Sequence, residues 1–216
     1  MSSTQDKKSL SPSGKFELTL TSGEVESVAK DGKKATIDRY IVKNVETNEV
    51  VVDQLAWTRG VKGQIFSRDD GEWFVSSTRN MYVRKFVNLE TGEEYVWGEK
   101  SCRFSGFLAT DFWASADGKT VAFYEVIWGA PYYNIHFYDF TDPVSVTPDH
   151  EDMESCRLED WMVYGNGYDG GTNIESLVAN EDNSFTYADK KGNVTTLIRG
   201  EDEDGEDGMI PFTPEE

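Results

Sequence analysis

Residues 113–140 read WASADGKTVAFYEVIWGAPYYNIHFYDF, and the rest of the chain echoes this stretch. It opens on Asp117-Gly118, runs through Val121, Phe123 and Ile127, and breaks at Gly129-Ala130-Pro131. A second run then alternates Ile135 and Phe137 with His136 and Tyr138. Asp-Gly between β-rich runs signals a hairpin turn, because glycine accepts the positive φ such turns need. Pro131 has no N–H to give a ladder, so it belongs at a strand start. The stretch predicts a hairpin of two long strands, the first apolar on both faces in its first half. Glu125 interrupts that run and is expected at a sheet edge, since a buried unpaired carboxylate is costly.

Working outward, the turns recur. Asp31-Gly32, Asp70-Gly71 and Asp117-Gly118 stand about 39 and 47 residues apart. A second set, Thr47-Asn48, Thr91-Gly92, Thr141-Asp142 and Lys191-Gly192, is spaced about 44, 50 and 50 residues apart. A period of roughly 40–50 residues with several short strands per repeat is the sequence mark of propeller blades. The fourth repeat lacks the Asp-Gly and keeps only the final hairpin. Val83, Lys85 and Val87 against Tyr82, Arg84, Phe86 and Asn88 show the alternation of a half-buried strand. The best helical candidate, residues 173–179, is barely two turns long. The reading is all-β: a β-propeller-like repeat of about four antiparallel three- to four-stranded units, with turns at Asn48, Gly92, Asp142 and Gly192. It assigns residues 1–14 to a flexible polar tail, 15–200 to the domain and 201–216 to an acidic tail.

The Asp-Gly turn with TVAFYEV, WGAPY and IHFYDFTDP, over residues 115–143, resembles the WD-repeat superfamily of β-propellers in its loose sense. More narrowly, it is similar to propeller-like proteins carrying a DGK.LAV…W..PY.I..YDF.DP segment. Such repeats usually end in Trp-Asp and carry a Gly-His pair, and this chain has neither. The resemblance implies a β-propeller or related β-meander and a binding role, with no catalytic residues carried over.

Composition narrows the function classes. The chain has 216 residues, of which 13% are aromatic, enough to build a sizeable core. Lysine plus arginine number 21 against 40 aspartates and glutamates, a net charge of −19. Such an excess repels phosphate backbones and anionic headgroups, so neither nucleic acid nor a membrane surface is expected as a partner. No apolar run approaches the roughly 20 residues of a spanning helix. The opening MSSTQDKKSLSPSGK has no hydrophobic signal core, and two cysteines, Cys102 and Cys156, do not make a disulfide scaffold. A reducing, cytoplasmic setting is expected. Like charge also favours a monomer, with a dimer of open half-rings as the other outcome.

Chemical motifs are sparse. Gly165-Asn166-Gly167-Tyr168-Asp169-Gly170 is a literal G-x-G-x-x-G after an apolar run, with Asp189 about 24 residues beyond its first glycine. A dinucleotide site would need a covering helix and a parallel crossover there, and both are short of residues. His136 and His150 have no partner at ligand spacing, so no metal is expected. The run 201–207, EDEDGED, lacks the order of a calcium loop. No G-x-S-x-G occurs, and no carboxylate pair stands out. No cofactor and no enzyme activity are expected. Most tryptophans should fill gaps between repeats. Trp128, Tyr132 and Tyr133 differ because they flank the Gly129–Pro131 break, where loops meet solvent. With Asn166, Tyr168 and Asp169 they are the candidate binding residues. The expected function is a non-enzymatic module that binds a protein partner through a loop face. The alternatives are a carbohydrate- or small-ligand-binding propeller, and a nucleotide-dependent enzyme using the 165–170 loop.

Overall fold

The computed structural model describes residues 6–25, 35–58, 60–79, 83–97, 107–127, 133–143, 157–161, 174–189, 192–199 and 212–214. The elements among them are all β-strands, gathered in four four-stranded sheets whose neighbours are consecutive in the chain. The first sheet holds β1 (Asp6–Leu10), β2 (Phe16–Val25), β3 (Ala35–Asn44) and β4 (Val50–Trp57). The second holds β5 (Gln64–Arg68), β6 (Gly71–Ser77), β7 (Arg84–Asn88) and β8 (Glu94–Trp97). In the third are β9 (Phe107–Ala114), β10 (Thr120–Ile127), β11 (Tyr133–Asp139) and β12 (Arg157–Trp161). The fourth comprises β13 (Ile174–Ala179), β14 (Phe185–Asp189), β15 (Val194–Arg199) and β16 (Phe212–Pro214). This is the propeller-like repeat of antiparallel sheets that the turn spacing predicts. The chain divides into two compact lobes, Met1–Val96 and Trp97–Glu216.

Two kinds of turn recur, each fastened by its own side chains. Between β1 and β2, Ser11 N–H donates to Phe16 O at 2.9 Å, Gly14 N–H to Ser11 O at 2.9 Å, and Phe16 N–H to Ser11 Oγ at 3.1 Å. Between β9 and β10 the same three bonds link Ser115, Gly118 and Thr120 at 2.8, 2.9 and 3.0 Å. Between β13 and β14 a version one residue shorter uses Asn180, Asn183 and Ser184. Gly14, Gly118 and Asn183 take φ of 76°, 67° and 69°, a left-handed conformation open to glycine and tolerated by asparagine. The second kind leads from the third strand to the fourth. Asn44 Oδ1 accepts from Glu46 and Thr47 N–H at 3.0 and 3.1 Å, and Asn88 Oδ1 from Glu90 and Thr91 N–H at 2.9 and 3.1 Å. Asp139 Oδ1 takes the same role for Thr141 N–H at 2.8 Å. These are Asx turns, in which a short side chain copies the backbone's own turn bond.

Each lobe has its own core. In the first, Phe16, Leu18, Tyr40, Val42, Val52 and Ala56 of the first sheet pack on Phe74, Val87 and Leu89 of the second. In the second, Ala122, Ile135 and Phe137 pack on Leu177, Phe185, Tyr187 and Leu197. Trp97 opens this lobe and lies against Tyr138 and Phe140, each with centroids 5.6 Å apart. The central hairpin, β10 with β11, is therefore buried on both faces: Val121, Ala122 and Phe123 on one strand, Phe137 and Tyr138 on the other.

Several sequence readings need correction. Residues 6–10, placed in a flexible tail, form β1 and pair with β2 from Asp6↔Thr21 to Leu10↔Glu17. The first Asp-Gly turn was placed at Asp31-Gly32, outside the described residues and between the second and third strands. The true counterpart is the 11–15 turn. The fourth repeat has not lost its first turn, because Asp182-Asn183 stands where Asp117-Gly118 does. Gly192 joins β14 to β15, second strand to third, and so is not the equivalent of Asn48 and Gly92. Ile174–Ala179, most of the best helical candidate at 173–179, is strand β13. The 84–88 strand is buried on both faces rather than half-buried, with Arg84 only 2% exposed. Residues 212–214 of the expected acidic tail pair with β15. The backbone of Glu125 pairs inside β10; its side chain lies outside the described residues.

Phe123→Ala and Phe137→Ala should each lower unfolding free energy by about 3–5 kcal/mol, the usual cost of emptying a large core site. Leu10→Ala, at an exposed strand end, should change it by less than about 0.5 kcal/mol. Denaturant midpoints check both; small shifts at the two phenylalanines would remove the central hairpin from the core.

Candidate functional site

The sequence candidates fall on two connections of the second lobe. Trp128, Tyr132, Asn166, Tyr168 and Asp169 lie outside the described residues. Tyr133 opens β11, where its backbone pairs with Val126. The flanking strands nonetheless fix where these connections start and finish. Ile127 ends β10 beside Phe107, Trp161 ends β12 opposite Ile135, and Ile174 begins β13 opposite Asp189. The opposite end of both sheets carries the 115–119 and 180–184 turns, which meet through Asp117 N–H donating to Asn183 Oδ1 at 2.8 Å. Ile127, Tyr133, Trp161 and Ile174 therefore all stand at one end of the lobe. The 128–132 and 162–173 connections leave from that same end. The strand character of β13 removes the helix that a dinucleotide reading of 165–170 requires.

The first lobe holds a polar cluster that the sequence reading missed. Ser22, Asp38 and Tyr40 share one face of the first sheet, since Ser22 pairs with Asp38 and Tyr40 follows two residues later. Asp38 is 4% exposed and Tyr40 1%. Ser22 Oγ donates to Asp38 Oδ1 at 2.7 Å, and Tyr40 Oη lies 3.5 Å from Asp38 Oδ2, a long contact. Residues 60–63 close over the ring. Val61 N–H donates to Ser77 Oγ at 2.7 Å, which anchors the segment, and a Cβ on Gly63 would sit 2.5 Å from Tyr40 Cδ1. Only glycine fits that approach. Burial pushes the Tyr40 phenol up to about 12; a hydrogen bond from Gly63 N–H opposes this, and the Asp38 charge adds to it. The Tyr40 phenol therefore stays protonated across the physiological pH range. The one sequence signal was the D-x-Y spacing inside ATIDRYIVKN, an aspartate on the apolar face of a strand.

Among the described residues, no group of three or more His, Cys, Asp or Glu side chains could hold a metal ion, and no helix is long and apolar enough to cross a membrane.

No family model matches the chain, and no curated protein is similar to it in sequence. Solved structures do share its fold. One is a protein of unknown function from Desulfotomaculum acetoxidans, 13% identical with a TM-score of 0.52, covering 99% of this chain and 56% of its own. Hydrazine synthase of Kuenenia stuttgartiensis is 14% identical with a TM-score of 0.49, covering 97% and 54%. A 6-phosphogluconolactonase-like protein of Bacteroides fragilis is 11% identical with a TM-score of 0.42, covering 95% and 52%. The chain spans about half the length of these structures. One expectation is corrected here: the absence of enzyme activity, expected from the sparse catalytic motifs, stands against proteins with enzyme names among these neighbours.

The raised Tyr40 pKa fixes a pH window. The phenol loses its proton near pH 10 when unfolded and near about 12 when folded, so the folded state holds it more tightly. Its stabilising effect is complete below about pH 10 and is lost as pH rises from there through about 12. Tyr40→Phe should therefore flatten the alkaline decline in denaturant midpoint. Equal declines in both proteins would contradict the assignment.

Proposed function

We propose that this chain is a propeller-like module that binds a protein partner at the end of the second lobe from which the 128–132 and 162–173 connections leave. The observation that carries it is the shared position of Ile127, Tyr133, Trp161 and Ile174 at one end. Two stretches that are far apart in sequence, one aromatic and one rich in glycine with polar side chains, start from a common rim. Trp128, Tyr132 and Tyr133 are the anchors in this reading, because large rings carry much of the energy at protein interfaces. Asn166, Tyr168 and Asp169 supply hydrogen bonds. A net charge of −19 favours a basic partner surface and speeds encounter with it. The WD-repeat-like segment at 115–143 supports a binding role, and two cysteines in 216 residues accord with a reducing cytoplasm.

Trp128→Ala with Tyr132→Ala is the test. The double variant should keep the wild-type melting temperature and lose the proteins captured by the immobilised wild-type chain, read by quantitative mass spectrometry. Unchanged capture would overturn the proposal. A sugar or nucleotide that raises the melting temperature would move the reading to a small ligand.

A further inference from the structure

Two buried polar groups of the first lobe have incomplete hydrogen bonding. Asp38 is 4% exposed, and its two oxygens fare differently. Oδ1 takes a 2.7 Å bond from Ser22 Oγ, while Oδ2 has only the Tyr40 phenol, at 3.5 Å. A carboxylate has room for several donors, and burying one that falls short is costly. The second group is Ser76, whose Oγ is buried and has no hydrogen-bond partner among the described residues. A buried hydroxyl in that state is uncommon and needs a physical cause.

Topology brings the two together. Ser76 lies two residues beyond Phe74 on β6, so it shares the face that meets the first sheet. The rings of Phe74 and Tyr40 are 5.9 Å apart between centroids. Val75 pairs with Gln64, and Ser77 N–H donates to Val61 O at 3.1 Å, so the 61–64 segment runs beside Ser76. Gly63 in that segment lies against the Tyr40 ring. Ser22, Asp38, Tyr40 and Ser76 thus gather at the end of the two sheets away from the 11–15 turn. Ser22 is exposed and forms the solvent end of the cluster. Lys85 pairs with Ser76 across β6 and β7, but its Nζ is bound to Glu94 Oε1 at 2.5 Å.

We infer that this cluster is a binding site for a primary ammonium group, entered past Ser22, with Asp38 as its counter-ion. The donor set selects the ligand. An ammonium carries only donors, and Asp38 Oδ2 and Ser76 Oγ are the acceptors left short. A guanidinium would fork onto both carboxylate oxygens, and Oδ1 is already held by Ser22. A divalent metal wants more carboxylate or imidazole ligands than the described residues bring together. The net charge of −19 raises the concentration of any cation near the chain. A change of the Ser22 χ1 rotamer opens the route to Asp38. The site lies in the first lobe and is independent of the partner-binding end of the second.

The probe is n-butylammonium chloride, compared with tetramethylammonium chloride at equal ionic strength, which has the charge without the N–H donors. So small a ligand should bind with a Kd of about 1 mM. At about ten times that concentration it should raise the melting temperature by about 4 °C over the control salt. Asp38→Asn should abolish the rise. Ser76→Ala should leave the melting temperature of the free chain unchanged, because its Oγ has no bond to lose, and should weaken butylammonium by about fivefold. A hydroxyl that only packs would not move the affinity, so this variant decides alone if Asp38→Asn does not fold. N-acetyl-lysine amide separates the sources of the group. Binding like that of butylammonium assigns the site to a partner's lysine side chain, and failure to bind assigns it to a free amine; either supports the ammonium site. No saturable difference between the two ammonium salts would overturn the inference. So would an unchanged butylammonium affinity in either variant.

Discussion

One backbone hydrogen bond occurs three times, and the rest of each sheet is set by it. Val45 N–H donates to Lys15 O at 2.8 Å, Leu89 N–H to Glu72 O at 2.8 Å, and Phe140 N–H to Lys119 O at 2.7 Å. Each donor follows the Asx residue that starts the third-to-fourth turn, and each acceptor lies at the start of the second strand. The bond therefore carries the ladder one step past the strands and clamps two turns together. Its importance is register. A slip of one residue would turn every side chain to the opposite face, putting Phe16, Leu18 and Val42 in water. With register pinned at the turn end, the apolar sets of neighbouring strands fall on one face without help from the middle of the sheet.

The same clamp spreads from sheet to sheet inside a lobe. Ser13 donates from its N–H and Oγ to the two carboxylate oxygens of Glu72 at 2.9 and 2.8 Å, and its counterpart Asp117 donates from N–H to Asn183. The third residue of one sheet's first turn thus holds the first hairpin of the next sheet in both lobes. Lys15 adds an ion pair to Glu90 in the first lobe. Hydrogen bonds to a charged group, as at the buried Glu72, are stronger than neutral ones.

Much of this was legible in the chain, for a physical reason. A turn is a local object, and its residues must satisfy φ and hydrogen bonding within five or six positions. Asn44-Val-Glu-Thr-Asn-Glu49 and Asn88-Leu-Glu-Thr-Gly-Glu93 are near copies, so their spacing reported the repeat directly. The failures came where chemistry was conserved without the letters. Asn183 replaces glycine at a positive φ, and Ser13 replaces aspartate, so the first turns of the fourth and first repeats were passed over. Misplacing the first turn also turned β1 into a tail, because DKKSL is polar and its five residues are exposed in the fold too. The Asp38 cluster was not legible because its closure depends on Gly63, which is 25 positions away in the chain and on another strand connection. The candidate residues at 128–133 and 166–169 stand out by composition alone. What the fold adds is the common end of the strands that flank them, which follows only from pairing across two sheets.

The location of charge links these features to binding. Glu46, Glu49, Glu90, Glu93, Glu181 and Asp182 are exposed on the clamped turns, whose backbone donors are already used within the turn or by the next one. Two Ser184 bonds hold the Asp182 carboxyl below its usual range. Such an end repels anions and offers few open N–H groups, so it keeps the chain dispersed while contributing little to specific recognition. A partner needs surface where backbone and rings are not committed to holding a turn. In the second lobe Ile127, Tyr133, Trp161 and Ile174 mark the opposite end. Clamping one end of three of the sheets is thus what frees the other to vary in sequence: strand register there no longer depends on the connections at the far end, and aromatic or glycine-rich residues can be placed in them at little cost to the fold.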